Sequence, residues 1–250
     1  LMEKEQEWIG GRNPILEVLR SKRDIHKIYI AEGSKNGVMQ QIISLAKENK
    51  IEIRFVPKAK IDQVVTGAHQ GVAAQIAAYK YFELEHLFHQ AEEKNEQPFF
   101  VILDELEDPH NLGSIMRTVN AVGAHGIIIP KRRSVSLTQT VAKASTGAIE
   151  YVPVVRVTNI SRTIEDLKKR GVWIFGTDAK GREDYRTMDA TLPLALVIGS
   201  EGRGMSRLVR EKCDFLVHLP MVGQVTSLNA SVAAGLLLYE VYRKRFSLGG

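Results

Sequence analysis

The sequence predicts an α/β protein in two parts, a small α/β unit followed by a larger one built on a parallel sheet. Three observations carry this reading. From Phe99 onward, apolar runs of strand length alternate with helical patterns, as in a parallel sheet covered on both faces. Before Tyr79, shorter strands and amphipathic helices alternate on a smaller scale. Between them FELEHLFHQAEEKNEQP is charged, shows no strand pattern and ends in Pro98, so it reads as a partly helical linker. The expected division is a first domain over 1–78, a linker over 79–98 and a second domain over 99–250.

The first helix is read from GRNPILEVLRS, with Asn13 as its N-cap, Pro14 at its first position and Ile15, Leu16, Val18 and Leu19 at helical spacing. KIYIA is a strand, VMQQIISLAKEN an amphipathic helix, IEIRFV an alternating strand, KIDQVV a short helix and GVAAQIAAY a further strand. In the second part FFVILDEL is a buried strand, Leu112 to Val122 a helix, HGIIIP a strand and TVAKAS a helix. VPVVRV, VWIFGTD, LALVIGS and FLVHLP are the remaining strands, and the chain closes on a helix containing ASVAAGLLLYEVY.

Composition narrows the function classes. The 250 residues are 44% hydrophobic and 25% charged, ordinary for a globular protein able to bury its own core. The opening residues are polar and the longest apolar run meets Glu240 too soon to span a bilayer, so a cytoplasmic protein without membrane partners is expected. The single cysteine, Cys213, excludes an internal disulfide and a cysteine-cluster zinc site, and reads as a buried filler. A net charge of +5 suits a polyanionic partner. Two basic runs stand out: KRR at 131–133, and RKR at 243–245, which either complements a helix dipole or faces RNA.

Ligands of parallel sheets sit beyond the strand carboxyl ends. That rule nominates the loops after Leu103, Phe175 and Val197 and the segment after Leu219. DELEDPHNLGSIMRT carries Asn111 and Arg117 on either side of a helix start, where Asn111 also suits a cap. IGSEGRGMS lacks the dinucleotide glycine spacing but allows close backbone approach at Gly199, with Glu201 at the loop tip. In LPMVGQVTSLNASVAAG, Ser227, Asn229 and Ser231 exceed what one helix cap needs.

Taken together, N-L-G-x-x-x-R-T at 111–118, I-G-S-E-G-x-G at 198–204 and L-P-M-x-G-x-V-x-S-L-N-x-S at 219–231 resemble the three signature motifs of the SpoU/TrmH (SPOUT-class) RNA ribose 2′-O-methyltransferases. Residues 8–78 are similar to the ribosomal-protein-like substrate-binding domain of this family's bacterial 23S rRNA guanosine-2′-O-methyltransferases. The resemblance implies a deep trefoil knot in the second domain, a homodimer formed through it, and S-adenosyl-L-methionine as cofactor with no metal. It assigns Asn111, Arg117, Glu201, Ser227 and Asn229 to catalysis and the RNA site, and Thr177, Gly199, Leu219 and Leu228 to the cofactor. Arg117 would clamp a substrate phosphate rather than act as base, because a guanidinium keeps its proton. Glu201 would orient Arg117. A tRNA 2′-O-methyltransferase of the same family and a noncatalytic RNA-binding assembly factor are the alternatives.

Overall fold

The computed structural model describes residues 6–20, 23–34 and 37–246. The chain divides into two compact units, Leu1–Tyr79 and Lys80–Gly250.

The first unit is built on strands β1 (Gln6–Gly10), β2 (Ile25–Ala31), β3 (Glu52–Val56) and β4 (Val72–Ala77), ordered β1-β4-β2-β3. β4 runs antiparallel to both its neighbours, while β3 is parallel to β2. Helices α1 (Arg12–Arg20) and α2 (Gly37–Glu48) cover one face, burying Ile15, Val18, Met39 and Ile42 against Ile28, Ile30, Val72 and Ile76. The short α3 (Lys58–Asp62) covers the other, with Ile61 against Tyr29 and Ala73. Two details differ from the sequence reading. β1 is a five-residue edge strand whose apolar residues are Trp8 and Ile9 alone, too few to show the pattern that marks a central strand. α1 begins at Arg12, directly after Gly11 at φ 103°, so Asn13 lies in the first turn rather than at the cap.

The second unit is one parallel sheet: β5 (Phe99–Asp104), β6 (Gly126–Pro130), β7 (Val154–Val157), β8 (Trp173–Thr177), β9 (Glu183–Asp184), β10 (Leu194–Gly199) and β11 (Phe215–His218). Its order is β7-β6-β5-β10-β8-β11-β9. Every residue of β5 is buried, as expected for a central strand covered twice. On one face α4 (Leu84–Glu93), α7 (Ile160–Lys169) and α8 (Arg207–Lys212) pack on Phe100, Ile102, Ala195 and Val197. Alternation directs Val101, Leu103 and Leu196 to the other face, where α5 (Pro109–Val122) packs with α6 (Gln139–Ala144) and α9 (Ala230–Arg245).

The expected linker is not a free connection. α4 buries Leu87, Phe88 and Ala91. Phe88 meets Phe100 edge-on at 5.0 Å, and Arg170 lies 3.3 Å over the Phe88 ring while pairing with Glu85 at 2.7 Å. The glutamates that made the stretch look like a linker are the solvent side of an amphipathic helix.

The RKR run is paired within its own unit. Arg243 donates to both oxygens of Glu240 at 2.9 and 2.8 Å, and Lys244 to the carbonyl of Arg186 at 2.7 Å. Arg245 donates to the carbonyls of Ala190, Gln97 and Leu192, each at 2.7 Å, and of Pro98 at 3.2 Å. Among the described residues, no helix is long and apolar enough to cross a membrane.

Candidate active site

All strands of the second sheet point the same way, so the loops after β5, β8, β10 and β11 gather at one edge. Asp104 ends β5 as a buried carboxylate that accepts from the Ser206 amide at 2.7 Å, pinning the loop after β10 to the β5 end. Asp108 caps α5, accepting from the His110 amide at 2.8 Å, with Pro109 in the first turn. Because Asp108 takes the cap, the Asn111 side chain is free to turn inward, where it is buried.

The loop after β10 folds back on itself. The amides of Ser200 and Gly204 donate to each other's carbonyls at 3.1 and 2.8 Å. A Cβ on Gly199 would lie 2.2 Å from the Gly204 carbonyl carbon, so no side chain fits there. The fold-back carries Glu201 to the start of α9. Glu201 Oε1 accepts from Asn111 Nδ2 at 3.0 Å, from the Ala230 amide at 3.1 Å and from Asn229 Nδ2. Asn229 Nδ2 also donates to Asn111 Oδ1 at 3.0 Å. Asn229 Oδ1 caps α9, accepting from the amides of Ser231 at 2.9 Å and Val232 at 3.3 Å and from the Ser231 hydroxyl at 2.6 Å. Three loops thus close into one polar cluster, and Glu201 Oε2 accepts no hydrogen bond from the described residues.

Beside the cluster, Thr177, Gly199 and His218 end three adjacent strands, β8, β10 and β11. The Thr177 hydroxyl donates to the Val197 carbonyl at 3.0 Å, tying β8 to β10. Residues 219–228 follow β11 outside any helix or strand and make no hydrogen bond among the described residues. Leu219 and Leu228 are half-buried and Ser227 is exposed. His218 keeps its Nδ1 buried with no partner among the described residues, next to this segment. Free main-chain donors and acceptors, a side-chain-free Gly199 and an orphaned ring nitrogen along three strand ends suit a ligand held mainly by backbone contacts.

Arg117 does not join the cluster. At about 100° per residue, it lies about 240° around α5 from Asn111, and it is exposed with no hydrogen bond or ion pair to the described residues. The expected orienting contact from Glu201 is therefore replaced by the two asparagines and the Ala230 amide. The sequence reading passed over Asp104 and His218; an aspartate closing the otherwise apolar FFVIL was the available signal for the first.

A family model described as the SpoU rRNA Methylase family matches residues 98–239, and one for RNA 2′-O ribose methyltransferase substrate binding matches residues 8–82. The chain belongs to the SpoU rRNA methylase family. Its membership makes it an RNA methyltransferase, and both units of this SpoU chain have family counterparts. The Bacillus subtilis protein YacO, named as a TrmH family tRNA/rRNA methyltransferase, is 65% identical over 99% of this chain and 100% of its own length. Among solved structures, the SpoU methyltransferase AviRb of Streptomyces viridochromogenes, in complex with AdoMet, is 25% identical with a TM-score of 0.64 over 96% of this chain and 90% of its own. The A. aeolicus TrmH/SpoU tRNA modifying enzyme is 30% identical with a TM-score of 0.55, covering 64% of this chain and 83% of its own.

Proposed function

We propose that this SpoU protein methylates the 2′-oxygen of a guanosine ribose in 23S rRNA, with S-adenosyl-L-methionine as donor, in the cytoplasm and as a homodimer formed through the second unit. The observation that carries the reading is the closed Asn111–Glu201–Asn229 cluster beside strand ends lined by free backbone.

Thr177, Gly199, Leu219 and Leu228 would hold the donor, which supplies a methyl group already activated on sulfonium. A ribose hydroxyl is a weak nucleophile, so positioning is the protein's main task. Glu201, held by three donors on Oε1, keeps Asn111 and Asn229 oriented toward the ribose. Asn229 and Ser227 hold the ribose. Arg117, unpaired among the described residues, clamps a flanking phosphate and stabilises negative charge developing on the 2′-oxygen. The flanking phosphate or solvent takes the proton.

The path of the chain supports the trefoil knot. β11 lies beyond β8, yet α9 packs against α5, so the chain after β11 returns across the carboxyl ends of β8 and β10. α9 supports the homodimer: it buries Ala234, Leu237, Leu238 and Val241, but leaves Val232, Leu236, Tyr239 and Tyr242 exposed on its other side. The substrate-binding match supports an RNA substrate, and the SpoU rRNA Methylase match favours rRNA. A tRNA substrate is the second reading, favoured by the 30% identity to the A. aeolicus tRNA modifying enzyme.

Mapping 2′-O-methyl sites in total RNA from cells with and without the protein tests the substrate. A methyl group lost from a 23S guanosine is expected; one lost only from tRNA overturns the rRNA assignment. Arg117→Ala should lower methyl transfer by roughly a hundredfold or more while donor affinity stays near that of the unaltered protein. Full turnover by this variant would remove Arg117 from the site.

A further inference from the structure

The Lys131–Arg132–Arg133 turn has no part in the cluster above, yet it shares its edge of the sheet. It follows Pro130, the last residue of β6; β6 pairs with β5 and β5 with β10, all in parallel. Two strand spacings, about 10 Å, separate the ends of β6 and β10.

The turn is braced from several sides. The Lys131 amide donates to the Val157 carbonyl at 2.8 Å, and Arg156 Nη2 donates to the Lys131 carbonyl at 3.3 Å. Arg156 in turn lies 4.7 Å over the Tyr81 ring, whose hydroxyl accepts from the Leu137 amide at 2.8 Å. Arg133 pairs with Glu105 at 3.1 Å, and both have left-handed backbones, at φ 54° and 56°. Non-glycine residues adopt that conformation at a cost, which concentrates at functional loops. Solubility alone asks for no such bracing. Lys131 and Arg132 remain exposed, their side chains without hydrogen bonds or ion pairs to the described residues. The acidic neighbours are Glu105, taken up by Arg133, and Glu107 and Asp108 on the loop after β5, of which Asp108 caps α5.

We propose that Lys131 and Arg132, held on this braced turn, bind phosphates of the substrate RNA strand a few nucleotides from the target ribose. The proposal rests on the RNA-methyltransferase reading for the identity of the polyanion. Phosphate contacts of this kind position a strand without reading its sequence.

The test measures binding of a mixed-sequence RNA oligonucleotide to the full chain across a salt series, beside donor affinity and methyl transfer to unmodified 23S rRNA. The Lys131→Ala/Arg132→Ala variant should bind about tenfold more weakly at low salt. Its log–log salt slope should fall by about 1.4, two contacts at about 0.7 each. Donor affinity should hold, with kcat at saturating RNA within about twofold. Arg132→Lys should restore most of the slope. Lys169→Ala, at the end of α7 and so at the opposite sheet edge, should change nothing. Affinity and slope equal to the unaltered protein, an equal loss in Lys169→Ala, or a simultaneous loss of donor binding would each overturn the proposal. If the unaltered protein transfers no methyl group while the slope difference persists, the phosphate strip stands and the activity falls.

Discussion

Asn229 carries three jobs with one amide: its oxygen caps α9, and its nitrogen meets both Asn111 and Glu201. Asn229→Ala should therefore lower turnover and also cost about 1 kcal/mol of stability through the lost cap. Asn229→Ser separates the two effects, since it keeps a capping oxygen but loses the amide nitrogen that meets Asn111 and Glu201. Turnover should fall in both variants, whereas a melting-point loss that matches the cap should appear only in the alanine. Cys213 offers a simpler check. Burial, aided by the nearby Asp214 carboxylate, pushes its thiol up to about 12, and Sγ donates to the Val209 carbonyl. The native protein should resist alkylation by iodoacetamide at pH 8 and react only on unfolding; rapid native labelling would contradict the packing described.

At the scale of elements, a buried histidine joins the turn after α4 to the sheet. His125 Nδ1 accepts from the Phe99 amide at 3.1 Å and Nε2 faces Glu96 at 3.0 Å, an arrangement that needs a neutral ring. Burial holds its pKa below 6.5, outweighing the opposing pull of Glu96. The unfolded chain therefore binds the proton more readily, so this contribution is complete above about pH 6.5 and is lost as pH falls toward the folded value. The melting temperature should drop across that window, and His125→Gln should flatten the drop. The same helix shows how the sequence could be read and misread. Leu84, Leu87, Phe88 and Ala91 hold helical spacing in plain view, but four glutamates over 83–93 masked it as a linker. β1 was hidden for a different reason, since an edge strand needs little apolar pattern. Asn111 and Asn229 were visible because their motifs bring a polar side chain to a helix start. The missing Glu201–Arg117 contact was not visible, because a motif gives spacing and the helix decides direction.

For the whole molecule, Arg245 makes the end of α9 a tether across the base of the second unit, drawing together residues 97–98 and 190–192. Arg245→Met would leave the carbonyls of Gln97, Ala190 and Leu192 unmatched, while that of Pro98 keeps the Leu194 amide, at a cost of about 3 kcal/mol, seen as a fall in melting temperature of roughly 6–12 °C for a unit of this size. A chain starting at residue 80 should keep donor affinity and lose affinity for rRNA, because residues 8–82 carry the substrate-binding match. Leu236→Glu should yield monomers by light scattering if the exposed side of α9 joins two copies. The segment over 219–228 bears on how this protein can change. A site that grips through main-chain atoms is nearly indifferent to the side chains hung on them. Saturation mutagenesis should find Val222, Gln224 and Val225 open to most replacements other than proline, while Gly199 across from the segment and Asn229 at its end accept almost none, so that tolerance is confined to the ribbon itself.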